Sequence, residues 1–250
     1  MTAVSRGLLT RDRLVGRVGK LPTGTQSGVL ISRLPIPSGM SVLDAVLARP
    51  VSSTETAVLL ICHGIGEVVE HWFAVQQLLA RSGVASLVFD YSGYGRSSGF
   101  INPGQCEQDA ISAFSYLQGL FPSRPVSVLG FSLGSGIAAT LLARVPVHRL
   151  VLCASFTSFK AAAFSAGFPK LLSFLIPAVW YTEEILSSDS APLLIIHGAD
   201  DRLFPVRMAR ELQACAGSNC KLVIVAKLSH DGPYRTPQDS YWNFIVSHLM

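Results

Sequence analysis

A continuous run of about 20 apolar residues, the length that a transmembrane helix needs, does not occur in this chain of 250 residues. The hydrophobic segment 164–181, for example, contains Lys170 and is broken by Pro169 and Pro177. No membrane span is therefore predicted. The N-terminal residues show no apolar core followed by a small-residue cleavage site, so export is not expected either.

Cysteine is scarce, and its five residues form no Cys/His cluster with the spacing of a zinc site. Cys62 and Cys153 lie in apolar runs, where cysteine acts as a small buried hydrophobe. No metal is expected, and a reduced, cytoplasmic setting is the default for this composition. Pairing of Cys215 with Cys220 is left open.

Charge is sparse and confined to one end of the chain. The net charge is +4, and residues 6–20 account for all of it through five basic residues and Asp12. The rest of the chain is formally neutral and does not interleave basic with aromatic residues, so no nucleic-acid groove is expected. Residues 1–24 are interpreted as a basic arm. It is either an amphipathic helix that contacts a membrane surface or a frayed or strand-like segment, because its glycines oppose a helix.

The hydrophobic pattern of the remaining sequence, residues 25–250, is typical of one α/β domain. Two alternating segments, 29–34 and 42–47, are separated by prolines and a glycine and predict an antiparallel hairpin. Continuous apolar runs follow, with helical patterns between most of them, which favours a mostly parallel, doubly wound sheet. The predicted strands are 57–62, 85–89, 126–129, 150–153, 193–196 and 222–225, and the predicted helices are 72–81, 105–120, 136–143, 206–215 and 240–249.

The interval between the fourth and fifth of these apolar runs is too long for a simple connection. Residues 156–190 are interpreted as a small helical cap above the carboxyl ends of the strands, where open α/β sheets place their sites. Plain packing of these helices against the sheet is the alternative. A cap would favour an apolar portion of the substrate. Its candidate substrate-binding residues are Phe164, Phe168, Leu172 and Trp180.

Gly-Phe-Ser-Leu-Gly at residues 130–134 stands between an apolar run and a helical pattern. A strand that enters a helix through a sharp turn strains the backbone of the central serine, and flanking glycines relieve the crowding. The motif is weak by itself in a chain rich in glycine and serine, so its context carries the prediction. Ser132 is predicted to be an exposed nucleophile.

A serine hydroxyl needs a base within hydrogen-bond reach and an acid that orients this base. His230 follows the last apolar run in a turn-rich loop and is the predicted base. Asp201 is favoured over the adjacent Asp200 as the acid, since only one of the two should face His230. The other histidines, His63, His71, His148, His197 and His248, are predicted to be structural.

The developing oxyanion needs two backbone donors. Leu133, directly after the nucleophile, is predicted to supply one, and Ile65 in the loop 63–66 the other. A glycine turn without catalytic duty is the alternative for loop 63–66.

The segment 90–99 has neither the glycine order of a dinucleotide loop nor a Walker lysine, and it is interpreted as a structural loop beside the site.

With these pieces in place, the chain resembles the α/β-hydrolase fold family from about residue 25 to the C-terminus. Segments 63–67 and 90–97 are similar to those of monoacylglycerol-lipase-like and lysophospholipase-like members. Segment 130–136 and the later 156–158 are more similar to the Bem46-like serine hydrolases. Two features depart from these patterns. The cap looks shorter than in lipase-like members, and Phe131 stands where many relatives carry histidine or arginine.

The chain order Ser132, Asp201, His230 also matches this family, and the resemblance implies a cofactor-free serine hydrolase with these residues, Ile65 and Leu133 in the roles given above. The expected substrate is a small-molecule carboxylic ester, cleaved through an acyl-enzyme. Thioester, peptide or amide hydrolysis and acyl transfer on the same residues are alternatives, and a non-catalytic binding member of the fold is a further one. The sequence predicts no oligomeric state.

Overall fold

The computed structural model describes residues 19–51, 55–188 and 191–250. Its strands form one nine-stranded sheet in the order β1-β2-β3-β5-β4-β6-β7-β8-β9. The first three strands and β5 pair antiparallel, and β5, β4 and β6 to β9 pair parallel. The strands are β1 Gly24–Gln26, β2 Val29–Ser38, β3 Ser41–Pro50, β4 Ala57–Cys62, β5 Val84–Phe89, β6 Val126–Phe131, β7 Leu150–Cys153, β8 Leu193–Gly198 and β9 Cys220–Val225.

The predicted parallel sheet is confirmed, and its strands are apolar because both faces are covered. Every residue of β4, β5, β6, β7 and β8 is buried, whereas the edge strand β9 is half-buried. The helices are α1 Phe73–Arg81, α2 Pro103–Leu120, α3 Leu133–Thr140, α4 Phe159–Ser165, α5 Thr182–Ser187, α6 Val206–Ala216, α7 Gly232–Arg235 and α8 Asp239–Leu249. Apolar residues of α2, α3 and α6 belong to one buried cluster and those of α1 and α8 to a second, so the sheet is doubly wound.

The predicted hairpin of β2 and β3 is confirmed, but its strands are longer than expected. Pro35 and Pro37, which the sequence pattern places between the strands, lie inside β2. This is possible because β1 pairs only with residues 29–31, so the rest of β2 is an edge where proline removes no hydrogen bond to a neighbouring strand. Gly39, with a positive φ of 56°, makes the turn.

The segment interpreted as a cap is only partly separate from the sheet. It contains α4, a 3₁₀ turn at Lys170–Leu175 and α5. The turn exposes Leu171 and Phe174 to solvent. Helix α5 packs against α3 and α6. Trp180 is buried, and its indole N–H donates to Glu107 on α2 at 3.0 Å.

The interpretation of the basic arm falls largely on residues 1–18, which lie outside the described residues. Gly24, assigned to the arm, is the first residue of β1. Among the residues that the structure describes, no helix has the length and hydropathy to cross a bilayer.

Gly130 allows α3 to lie against β6. A Cβ at Gly130 would come within 2.4 Å of the Gly134 carbonyl oxygen and 2.6 Å of the Ser135 Cα. We expect Gly130→Ala to lower the free energy of unfolding by about 3 kcal/mol through overpacking. The control is Gly119→Ala, since Gly119 is exposed on α2 with open space around it. This change should raise stability by about 0.5 kcal/mol through helix propensity. Urea unfolding measures the free energy of unfolding of both variants. Equal effects of the two substitutions would contradict the packing argument.

Candidate active site

The turn from β6 into α3 places Ser132 at the carboxyl edge of the sheet. Ser132 has a left-handed backbone, with φ 51° and ψ −119°. Its N–H donates to the Cys153 carbonyl on β7 at 3.0 Å, and Ser135 donates to the Ser132 carbonyl from both its N–H and its hydroxyl. A Cβ at Gly134 would lie 2.0 Å from the Cys62 carbonyl oxygen, so only glycine permits this approach of α3 to β4. Such a conformation costs about 1 to 3 kcal/mol and persists only where its surroundings hold it.

Ser132, His230 and Asp201 form one hydrogen-bonded array. The His230 Nε2 lies 2.9 Å from the Ser132 hydroxyl oxygen, and the His230 Nδ1 lies 2.7 Å from the Asp201 Oδ2. An ionised carboxylate only accepts hydrogen bonds, so Nδ1 carries the proton and Nε2 is left to accept from the serine. The three residues come from the turns after β6, β8 and β9. The array can therefore transfer a proton from serine to histidine while the carboxylate holds the ring.

Asp201 is anchored as well as paired. Its Oδ1 accepts the amides of Leu203 and Phe204, each at 2.8 Å. Burial by itself would raise the pKa of Asp201, but the hydrogen bond from His230, the electrostatic effect of that ring and the Phe204 amide outweigh it and lower the pKa. Asp201 thus stays ionised at neutral pH. Asp200 is exposed, and the hydrogen bond and ion pair of the His230 Nδ1 go to Asp201, so the structure brings Asp201 to the histidine.

The loop after β4 lies across the cavity from this array. The Gly64 N–H donates to the Glu67 Oε2 at 3.0 Å, and a Cβ at Gly64 would come within 3.2 Å of the Ser132 Cβ. In the described part of the chain, the amides of Ile65 and Leu133 donate to no other group. These are the two amides that the sequence predicts as oxyanion donors, and both remain available for a ligand.

Glu67 is a residue of this site that sequence reasoning did not assign. Its side chain is buried and lines the cavity, and its Oε2 accepts the Trp72 indole N–H at 2.8 Å as well as the Gly64 N–H. Burial raises the pKa of Glu67 despite the opposing effects of His63 and of these two donors. Glu67 thereby fixes the conformation of the loop that carries Ile65. The only sequence signal was its place in the segment 63–67.

The segment 90–99 supports that loop from the other side. The Asp90 Oδ1 accepts the Val69 N–H at 2.9 Å, and the Tyr91 hydroxyl donates to the His63 carbonyl at 3.1 Å. The His63 ring is buried between Tyr91 and Tyr94, with ring centroids 4.7 and 5.6 Å away. These contacts stabilise the loop after β4 and place neither segment 90–99 nor His63 in the cavity.

Two phenylalanine rings flank His230. The centroid of Phe131 lies 5.4 Å and that of Phe204 5.2 Å from the imidazole centroid. Phe131, the departure from the family pattern, is buried and packs edge-on against Tyr234 as well. These rings restrict the imidazole to the plane in which it can reach both of its partners.

A cavity of about 650 Å³ opens beside Ser132. None of the four cap candidates lines it. Trp180 packs against Phe159 at 5.0 Å, Phe164 lies under Lys160, Phe168 is half-buried, and Leu172 is exposed. The cavity is lined by Ile65, Glu67, Ser132, Asp200, Arg202, Leu203, Lys227, Ser229, His230, Asp231 and Tyr234.

Burial disfavours the reactive, ionised form of two thiols near Ser132. Cys62 and Cys153 are fully buried beneath the turn, and burial raises the pKa of each thiol to about 12. Across 19–51, 55–188 and 191–250, no three or more His, Cys, Asp or Glu side chains are grouped to hold a metal ion.

The strained serine after a parallel strand, the acid and the histidine after later strands, and this strand order together define the α/β-hydrolase fold. The family model described as alpha/beta hydrolase fold matches residues 57–179. The chain has the α/β-hydrolase fold.

Two relatives illustrate the similarity. The chain is 27% identical over 180 residues to the lysophosphatidylserine lipase ABHD12 of Macaca fascicularis. The matched residues cover 64% of this chain and 45% of that relative. It is 30% identical over 179 residues to an uncharacterized protein of Mycobacterium tuberculosis, covering 70% of this chain and 63% of that protein. The chain spans about half the length of the lysophosphatidylserine lipases that it matches.

Among solved structures, the Pyrococcus furiosus esterase Pf2001 superimposes with a TM-score of 0.74 at 20% identity, covering 93% of this chain and 95% of that one. A Rhodococcus 2-hydroxy-6-oxo-6-phenylhexa-2,4-dienoate hydrolase gives a TM-score of 0.67 at 17% identity, covering 88% and 99%. At these identities the superpositions establish the fold alone.

The raised pKa of Glu67 predicts a pH-dependent stability difference. A carboxyl whose pKa is higher in the folded than in the unfolded state stabilises the fold below its unfolded pKa, and this contribution is lost as the pH rises through the folded pKa. We therefore expect Glu67→Gln, which cannot ionise, to gain stability relative to the wild type as the pH rises above about 4, near the ordinary pKa of a glutamate. Urea unfolding at a series of pH values measures this difference in the free energy of unfolding, and Glu184→Gln, at an exposed position, is the control. A constant difference would show that Glu67 does not titrate in this way.

Proposed function

We propose that this chain is a serine hydrolase that cleaves carboxylic esters, with Ser132 as nucleophile, His230 as base and Asp201 as the orienting acid. The observation that carries the proposal is the continuous pair of hydrogen bonds from Ser132 through His230 to Asp201, 2.9 and 2.7 Å long. The lipase name of its sequence relatives supports an acyl ester as the substrate.

In this mechanism the Ser132 oxygen attacks the acyl carbonyl carbon while the His230 Nε2 takes the hydroxyl proton. The amides of Ile65 and Leu133 stabilise the negative oxygen of the tetrahedral intermediate, and such donors are typically worth about 3 kcal/mol of barrier each. Collapse breaks the ester bond, and His230 returns the proton to the departing alcohol. Water, deprotonated by His230, then attacks the acyl-enzyme and releases the carboxylic acid. Asp201 stays ionised and stabilises the imidazolium.

The cavity suits an ester of moderate size. Its volume of about 650 Å³ falls in the range of small-molecule sites, and Ile65, Leu203 and Tyr234 provide apolar surface for an acyl chain. The exposed 3₁₀ turn at Lys170–Leu175 does not close this cavity, so acyl length is set by the cavity walls.

Hydrolysis of p-nitrophenyl acyl esters from acetate to palmitate tests the reaction class. We expect turnover to peak at one chain length and to fall by about 10⁴-fold or more in Ser132→Ala. A fluorophosphonate probe should label the wild type and the exposed-site control Ser188→Ala, but not Ser132→Ala. Hydrolysis of thioesters or amides alone would replace the ester assignment, and failure of both turnover and labelling would reject a catalytic role.

The identity of the acid gives a separate prediction. Because Asp201 holds the His230 tautomer, Asp201→Asn should lower kcat on p-nitrophenyl esters by roughly 10⁴-fold. The decrease in kcat caused by Asp200→Asn should be at least about a hundredfold smaller, because the hydrogen bond of the His230 Nδ1 goes to Asp201. Comparable losses in the two variants would contradict this assignment. Circular dichroism of both variants shows whether each one folds.

A further inference from the structure

Two cations line the cavity on the loops that carry the acid and the histidine. Arg202 directly follows Asp201, and Lys227 lies three residues before His230. Neither side chain makes a hydrogen bond or ion pair with any group in the described part of the chain. Both positive charges are therefore available to a ligand in the cavity.

The backbone of Lys227 is held in a left-handed conformation, with φ 58°. Two hydrogen bonds bracket it, from the Ala199 N–H to the Val225 carbonyl at 2.8 Å and from the Asp200 N–H to the Leu228 carbonyl at 3.1 Å. The two loops cross so closely that a Cβ at Gly198 would lie 2.2 Å from the Leu228 carbonyl oxygen. Glycine would relieve the strain at position 227, yet a lysine occupies it with its side chain at the cavity.

The carboxylates of the cavity do not neutralise these cations. Asp231 pairs with Arg235 at 2.5 Å, and Glu67 is turned toward Gly64 and Trp72. Asp200 is the remaining acid, and no cation of the described residues lies within 4.0 Å of it. The unpaired charges at the cavity are thus two positive and one negative.

We propose that Arg202 and Lys227 bind a phosphate group in the alcohol portion of the ester, so that the preferred substrates are anionic acyl esters. This inference rests on the proposed ester hydrolysis. A guanidinium and an ammonium together suit a phosphate, the first as a planar two-donor fork and the second as a point charge. Because both cations lie on the loops that carry Asp201 and His230, a bound phosphate sits on the leaving-group side of the ester.

Two esters that differ only in headgroup charge test the proposal: 1-octanoylglycerol and 1-octanoylglycerol 3-phosphate, both used below their micelle concentrations. The wild type should show the higher kcat/KM for the phosphate ester. Arg202→Gln and Lys227→Gln should each lower the ratio of the two kcat/KM values by about tenfold, the loss expected for one charged hydrogen bond. Lys227→Arg should preserve the ratio, as should Arg210→Gln, which removes an exposed charge of α6 outside the cavity.

Asp200 gives a test of opposite sign. Removing its charge in Asp200→Asn should raise the ratio for a phosphate ester, because a repulsive carboxylate is lost from the cavity. A lower ratio in this variant, or an unchanged ratio in Arg202→Gln and Lys227→Gln, would overturn the proposal.

Binding separates this proposal from the ester hydrolysis on which it rests. Calorimetric titration of Ser132→Ala with both octanoyl compounds measures recognition without turnover. We expect the phosphate compound to bind about tenfold more tightly, and this preference to disappear when Arg202→Gln is added. If esters are not hydrolysed but the binding preference is found, the reaction assignment fails and the phosphate site stands. Equal binding of the two compounds rejects the site.

Discussion

The close approach of α3 to the end of β4 is the constraint on which the site depends. Gly134 rests against the Cys62 carbonyl and Gly130 against the first turn of α3, so the chain has room for only one sharp turn between β6 and α3. That turn forces Ser132 into its left-handed conformation and leaves the Leu133 amide without a partner among residues 19–51, 55–188 and 191–250. It also brings Gly64 beside the Ser132 side chain. The positions of Ser132, of the Leu133 amide and of the loop at Gly64 therefore follow from one steric requirement.

Two carboxyl groups at the site are driven in opposite directions by their surroundings. Asp201 receives donors at both oxygens, and its pKa falls. Glu67 is buried with its donors on one oxygen, and its pKa rises. The first is placed to accept the Nδ1–H of His230, and the second fixes the conformation of the loop that carries Ile65. Of the two carboxyl groups, Asp201 thus provides a negative charge, whereas Glu67 fixes the conformation of a loop.

Much of this fold could be predicted because the parallel strands are apolar throughout and glycine turns follow them. The places of Ser132, Asp201 and His230 after three of the parallel strands could be predicted for the same reason. The conformation of Lys227 could not, because it results from contacts between loops distant in sequence. The contacts of Glu67 with Gly64 and Trp72 are local, but no sequence pattern shows that the loop folds around this side chain. Trp180 looked like a substrate contact because it lies in an apolar segment, but its N–H has a partner on α2. Apolar composition alone does not reveal which side a residue faces.

The spacing of the array along the chain has a consequence for how this protein folds. Ser132 and His230 are separated by 98 positions and Asp201 and His230 by 29, and parallel pairing of β6 to β9 must bring them together. Contacts of such sequence separation form slowly, after local helices and turns. A chain that has folded only through β7 would hold a strained serine without its histidine partner. The hydrogen bond between Ser132 and His230 is thus among the last contacts to form as the polypeptide reaches its native topology.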